Sequence, residues 1–358
     1  MAVAIAAATL ATIGLGWPEQ SEAACRWGKF TAKRPPGGCW RPFSPESPFN
    51  RPLPANPRQP LNSTWLARTV SEWGEGPVLT AGTADTDDDY GHPIYFSSRR
   101  DPVYRINCVE FGGECEIDGA RVRIPKLARP AGGSDAHLAV IDQRKNWEYD
   151  LWEVGDKPRR GGLLNVGWGG RARIGSADAH GLRAGATASG FALSAGVIRP
   201  AELRVGRIDH ALFMGVPCTN GHSVYPSAGG AGTACSDLPL GGHTVPAMGS
   251  RFYLEMAPSE IDALAVASWQ KTILRAMAKY GMFIGDTGGS SWGIGGESAS
   301  SQTSFGRPDP WVRLAIRLGI PSYVSSDGAT RYLFDMRGIV DWEHELRVAA
   351  PCVSHGRC

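Results

Sequence analysis

No excess of one charge sign and no lysine–arginine cluster occurs in this sequence. Thirty-seven basic side chains stand against thirty-five acidic ones, for a formal net charge of +2. A nucleic-acid or anionic-membrane partner needs a basic stripe, so neither is expected. After residue 24 no apolar run approaches the roughly 20 residues that a bilayer crossing requires, so no membrane span is expected. No C-x-x-C pair is present and no His stands at ligand spacing beside a Cys, so no metal is assigned. No motif calls for a cofactor, and none is assigned. Repeats and low-complexity segments are also missing. Long helices are disfavoured by 46 Gly and 26 Pro, which favour short strands and turns.

What is present points outward from the cell. Residues 2–16 form a small-residue apolar run, and Ser21, Glu22, Ala23 and Ala24 precede Cys25. Residues 1–24 therefore read as an export signal. Eight cysteines agree with an oxidising, extracellular compartment. They fall into near neighbours, and local pairing is the simplest connectivity: Cys25–Cys39, Cys108–Cys115, Cys218–Cys235 and Cys352–Cys358. Twelve Trp is a high count. Most belong in a core, but tryptophan also lines sugar clefts, where its flat ring stacks on the C–H face of a pyranose.

Residues 25–62 read as a Pro-rich arm. Nine prolines between 35 and 60 exclude regular helix and central strand. Trp40, Phe43 and Phe49 should bury that arm against the rest of the chain. A helix is expected at 63–73, and an acidic turn at 83–91. A calcium loop there lacks the later Glu of an EF-hand. From 92 to 256 short runs rich in β-branched and aromatic residues alternate with Gly, Pro, Asn and Asp, with one helix at 200–205. Helices return at 257–281 (N-cap Ser259, stop Gly281), at 309–319 and at 339–348. The expected fold is mainly β: one β-sandwich or jelly-roll domain over 63–358, with the arm at its start and helices at its end.

The chemistry-bearing stretch is W-E-Y-D-L-W-E-V, residues 147–154. With Asp142 to Asn146 as a turn, it forms a hairpin with H-L-A-V-I-D. Alternate residues on a strand share a face. Glu148, Asp150 and Trp152 then point one way, and Tyr149, Leu151 and Glu153 the other. A bulge after Asp150 would bring Glu153 round to the first face. His137 on the partner strand could join it. Glycoside hydrolysis with retention needs a nucleophilic carboxylate and a protonated acid roughly 5 Å apart. Crowded carboxylates push their pKa values apart, which separates those roles. Glu148 as nucleophile, Asp150 as tuner and Glu153 as acid fit this demand, with tryptophans as stacking walls. The bland alternative is a strand with a wet acidic face.

E-Y-D-L-W-E resembles the E-x-D-x-x-E strand of concanavalin-like jelly-roll glycosidases of the laminarinase/lichenase and cellobiohydrolase type. That resemblance implies the same three roles for Glu148, Asp150 and Glu153. A broader one spans most of the chain. F-S-P-E-S-P-F-N-R-P-L-P-A-N-P, G-S-D-A-H-L-A-V-I-D, G-R-I-D-H-A-L-F-M-G-V-P and Y-G-M-F-I-G-D-T-G-G resemble segments of a group of secreted actinobacterial proteins. That group implies secretion but no activity. Its pattern keeps the middle acid and varies the outer two, which implies Asp150, His137 and His210 as site residues.

Other constellations carry less. A polysaccharide lyase would need a base, an acid and a carboxylate-neutralising cation, for which Tyr149, His137 or His210, and Arg171 or Arg173 are available. A non-catalytic glycan-binding or cell-wall protein would use Trp152, Trp168 and Trp292 as stacking rings. Asp286-Thr287-Gly288 lacks the second D-T-G of a single-chain aspartic protease. Residues 286–296 read as a Gly/Ser loop at a cleft mouth. G-G-S-S-W-G fails the nucleophile elbow, and G-W-G-G-R-A-R-I-G lacks the phosphate-loop pattern, its glycines marking a bulge or a tight approach in a strand. The leading expectation is a secreted, monomeric glycoside hydrolase acting on a polysaccharide or cell-wall glycan.

Overall fold

The computed structural model describes residues 28–111, 114–177, 185–238 and 242–358. The export signal and Cys25 lie outside the described residues. In chain order the elements are α1 (Ser63–Glu72), β1 (Val78–Ala81), β2 (Ile94–Phe96), β3 (Val103–Cys108), β4 (Arg121–Arg123), β5 (Leu138–Asp142), β6 (Trp147–Trp152), β7 (Gly162–Val166), β8 (Trp168–Arg173), α2 (Pro200–Val205), β9 (Leu212–Val216) and β10 (Arg251–Leu254). There follow α3 (Pro258–Ala263), α4 (Ser268–Tyr280), β11 (Met282–Thr287), β12 (Gly293–Ile294), α5 (Ser300–Thr303), α6 (Pro310–Leu318), β13 (Ser322–Val324), β14 (Thr330–Asp335), α7 (Trp342–Glu345), β15 (Leu346–Ala349) and α8 (Pro351–Ser354).

The described strands form four sheets, ordered β1-β14-β13, β12-β9-β11-β10-β15, β2-β5-β6-β8 and β4-β3-β7. The chain is thus mainly β, as composition suggests. Pairing is mixed: β2–β5, β3–β7 and β9–β11 run parallel, a departure from all-antiparallel hairpin order.

Alternation decides the layers. In β9, Leu212, Met214 and Val216 face a core shared with Leu66 and Val70 of α1 and Ile273 and Met277 of α4. Phe213, from the opposite face of β9, joins Phe283 of β11 in a second core, with Ala139, Ile141 and Ala172 of the four-stranded sheet. The other face of that sheet buries Leu138, Val140, Tyr149 and Leu151 against Tyr104, Ile106, Leu164 and Val166 of β3 and β7. The four-stranded sheet is therefore covered on both sides. Residues 186–197 cross the second core and separate the two larger sheets.

The Pro-rich arm packs as its aromatics require. Trp40, Phe43 and Phe49 are all buried in the second core, each burial stabilising by about 1.5–3 kcal/mol. Phe30, Trp40 and Phe96 meet with ring centroids 5.4–5.8 Å apart, and Arg199 lies 5.0 Å over Trp40.

Several boundaries differ from sequence expectation. The helix expected over 257–281 is two. Glu260 captures the Ala257 amide (2.6 Å) and Gln270 the Ala267 amide (2.8 Å), so each starts its own helix and Ser259 caps neither. Gly281 ends the second as expected. The helix expected at 339–348 stops after one turn, because Leu346 and Val348 are buried in the strand pairing of β15 with β10. Residues 286 and 287 end a strand rather than open a loop. The glycines of β8 mark no bulge, since β8 pairs with β6 in unbroken register from Arg173 to Trp168; Gly169 marks a tight approach instead, where a Cβ would lie 2.6 Å from the Ile117 side chain.

Disulfides join Cys108–Cys115, Cys218–Cys235 and Cys352–Cys358. The acidic turn is neutralised by protein groups. Arg129 pairs with Asp85 and Arg331 with Asp88. The hydroxyls of Ser298 and Ser300 donate to Asp89. Among the described residues no group of three or more His, Cys, Asp or Glu could hold a metal ion, and no helix is long and apolar enough to cross a membrane.

Candidate active site

Glu148 and Asp150 sit side by side on the covered face of β6, opposite Ile141 and Ala139 of β5. Both are fully buried. Their partners come from the segment that crosses above them. The Leu193 amide donates to Asp150 Oδ2 at 3.0 Å. The Ser194 amide and hydroxyl donate to the two oxygens of Glu148 at 2.8 and 2.5 Å. Burial pushes both carboxyls up. Asp150 rises well above the usual range, because the neighbouring Glu148 charge adds to its burial. The pair does not open onto a groove. It anchors a loop.

Glu153 is not part of that row. No bulge follows Asp150: β6 keeps register with β5 and β8 to its end. Glu153 leaves the strand at φ +48° and is exposed. Its amide donates to the Asp135 carbonyl at 2.8 Å. The expected three-carboxylate face is thus two buried acids and one rim acid.

The histidines divide likewise. His137 is buried beside His92, with ring centroids 5.1 Å apart. Nε2 of His137 lies 3.0 Å from the Ala186 carbonyl and Nδ1 of His92 lies 2.8 Å from the Leu193 carbonyl. A ring nitrogen facing a carbonyl carries the proton, so both rings donate to the crossing segment. Burial lowers His137 to about 4, and burial with the His137 charge lowers His92 to about 3, so both are neutral near pH 7. His210 lies elsewhere, buried with Nε2 3.0 Å from Glu202 Oε1, in the cluster that Glu202 forms with Arg199.

Of the lyase residues, Tyr149 and Arg171 are cross-strand partners, but neither His137 nor His210 joins them. Tyr149 is buried in the third core, on the face of β6 opposite Asp150. Arg171 pairs with Glu116 at 3.0 Å and lies 4.7 Å over Trp147, and Arg173 lies over the same ring. Trp292 is a core residue, almost fully buried, with its indole donating to the Gly74 carbonyl and its ring packed on Trp342 at 5.3 Å. It cannot stack on a ligand. Trp152 and Trp168 do come together. Both are half-buried cross-strand partners, and Phe111 lies 6.3 Å from the first ring and 5.7 Å from the second.

One carboxylate, Asp135, borders this wall, and a second, Asp286, lies within electrostatic reach of it. Asp135 sits in the turn before β5, and Trp152 Nε1 lies 3.5 Å from its Oδ1. Asp286 ends β11, half-buried, at a register shift between Ile284 and the strand end. Its Oδ2 accepts from the Ala188 amide (3.4 Å) and Oδ1 from the Thr287 amide (2.8 Å). Burial, with the Asp135 charge adding to it, pushes Asp286 up to about 6 against those amides. The crossing segment unites the two groups: Leu193 and Ser194 are held by Asp150 and Glu148, while Ala188 reaches Asp286. The signal available in the sequence was an acid at the end of an apolar run, F-I-G-D, next to a glycine.

No protein-family model, no curated protein and no solved structure matches this chain. The geometry alone carries the functional reading.

Proposed function

We propose that this protein is a secreted, monomeric glycoside hydrolase that cleaves a polysaccharide or cell-wall glycan on a layered, sandwich-like frame. In this reading the reacting pair is Asp286 and Asp135 rather than the acids of β6. Burial holds Asp286 protonated into the mildly acidic range, the property a general acid needs to protonate a departing glycosidic oxygen. Asp135, half-exposed at the rim, is the second carboxylate and assists at the sugar ring. Trp152 and Trp168, with Phe111, form the stacking wall beside it. Glu148 and Asp150 are positioning residues that hold the segment carrying the Ala188 amide. The paired disulfides support secretion.

The observation that carries this reading is the half-buried Asp286, raised to about 6 and within electrostatic reach of Asp135, which itself lies against Trp152. Asp286→Asn and Asp135→Asn test it. Each should lower kcat on a cleaved polysaccharide by about 100-fold or more, the scale of general acid–base assistance, while the protein stays folded. Full activity in either variant contradicts the assignment.

A further inference from the structure

Five arginines line one groove of about 350 Å³, between the N-terminal arm, α2 and α6. One is committed to the fold: Arg199 donates to the carbonyls of Gly37 and Trp40 and pairs with Glu202. Arg307 spends one N–H on the Ala32 carbonyl. Arg204, Arg313 and Arg317 are exposed, and among the described residues none of them has an ion-pair partner. The one acid in the lining is Glu297, pushed up to about 7 by its burial, so at most one negative charge stands against these cations.

Helix-end stabilisation does not explain the arrangement. Arg204 and Arg317 stand in the last turns of α2 and α6, where a cation is favourable. Arg313 lies one turn before Arg317, a like-charge spacing that costs helix stability, and Arg307 comes from a loop. Four cations from three segments converge on one concavity. Guanidinium forks match carboxylate and phosphate oxygens in pairs, and sulfate presents tetrahedral oxygens as phosphate does. Prolines 35, 200 and 310 stiffen the walls. No aromatic ring lines the groove, so it lacks the stacking platform that single-stranded nucleic acid uses.

We propose that this groove binds an acidic saccharide, a sugar chain bearing carboxylate or sulfate groups. Neither Asp286 nor Asp135 lines it, so the proposal stands apart from the hydrolase reading.

Titration calorimetry of the full chain tests it, with oligogalacturonate, a heparin-derived oligosaccharide, uncharged maltohexaose and single-stranded DNA as probes. The wild type should bind at least one acidic saccharide and not maltohexaose. The variant Arg204→Gln/Arg313→Gln/Arg317→Gln should bind it about tenfold or more weakly, a loss of about 1.4 kcal/mol, with unchanged melting. Arg121→Gln, on β4, should bind as the wild type does. Four results overturn the proposal: no binding of either acidic saccharide, equal binding of maltohexaose, unweakened binding by the triple variant, or tighter binding of DNA than of both acidic saccharides.

Discussion

Ser194 gives Glu148 both of its donors, the amide to one carboxyl oxygen and the hydroxyl to the other. One residue of the crossing segment is thereby fixed at two points on β6, and Asp150 fixes the residue before it. The two acids should differ on mutation. Asp150→Asn keeps an acceptor for the Leu193 amide and should cost under about 1 kcal/mol. Glu148→Leu strands two buried donors and should cost about 1–3 kcal/mol for each. Chemical denaturation of both variants checks this, and equal stability of the two would contradict the anchoring role.

Asp286 links the site to pH. Its carboxyl is raised to about 6 when folded, against about 3.9 in an unfolded chain. Between those values the native state holds a proton that the unfolded state has lost, so stability falls as pH rises from about 4 to about 6. Asp286→Asn removes that term. The variant's stability relative to wild type should therefore climb across this window and level off above it. A difference independent of pH would place the Asp286 carboxyl in its ordinary range.

Gly285 makes the position of Asp286 possible. A Cβ there would lie 2.1 Å from the buried Phe213 ring. Gly285→Ala should cost about 1–3 kcal/mol through overpacking and lower turnover by moving Asp286. Gly215, the cross-strand partner of Asp286, has open space at its Cβ, so Gly215→Ala should leave melting and activity intact. Similar behaviour of the two alanine variants would count against this packing.

Cys218–Cys235 closes a loop of sequence separation 17 and should contribute about 3 kcal/mol. Thermal melting with and without reductant, and of Cys218→Ser/Cys235→Ser, should both show the loss. Unchanged melting would contradict the bond's presence in solution.

Local features were legible in the sequence. The turn between Asp142 and Asn146 joins β5 to β6 as the pattern suggests, α6 falls within the helix expected at 309–319, and among the described residues three near-neighbour cysteine pairs join. What the pattern could not carry was long-range. The parallel contacts β2–β5 and β9–β11 join distant segments, and the segment carrying Leu193 and Ser194 covers the face of β6 on which Glu148 and Asp150 lie. Alternation placed those acids on one face without saying that a loop covers it. Trp292 and Trp168 are the same residue type, and only tertiary packing makes one core and the other wall. G-D-T-G-G reads as the start of a Gly/Ser loop at a cleft mouth, while Asp286 and Thr287 complete a strand held by β9.

The most direct test of the central claim is product analysis on neutral and uronic polysaccharides, with wild type and Asp286→Asn side by side. Hydrolysis at Asp286 predicts reducing ends without the ultraviolet absorbance of an unsaturated sugar, and their loss in the variant. Unsaturated product, undiminished release by Asp286→Asn, or no cleavage of any polysaccharide by the wild type would contradict it.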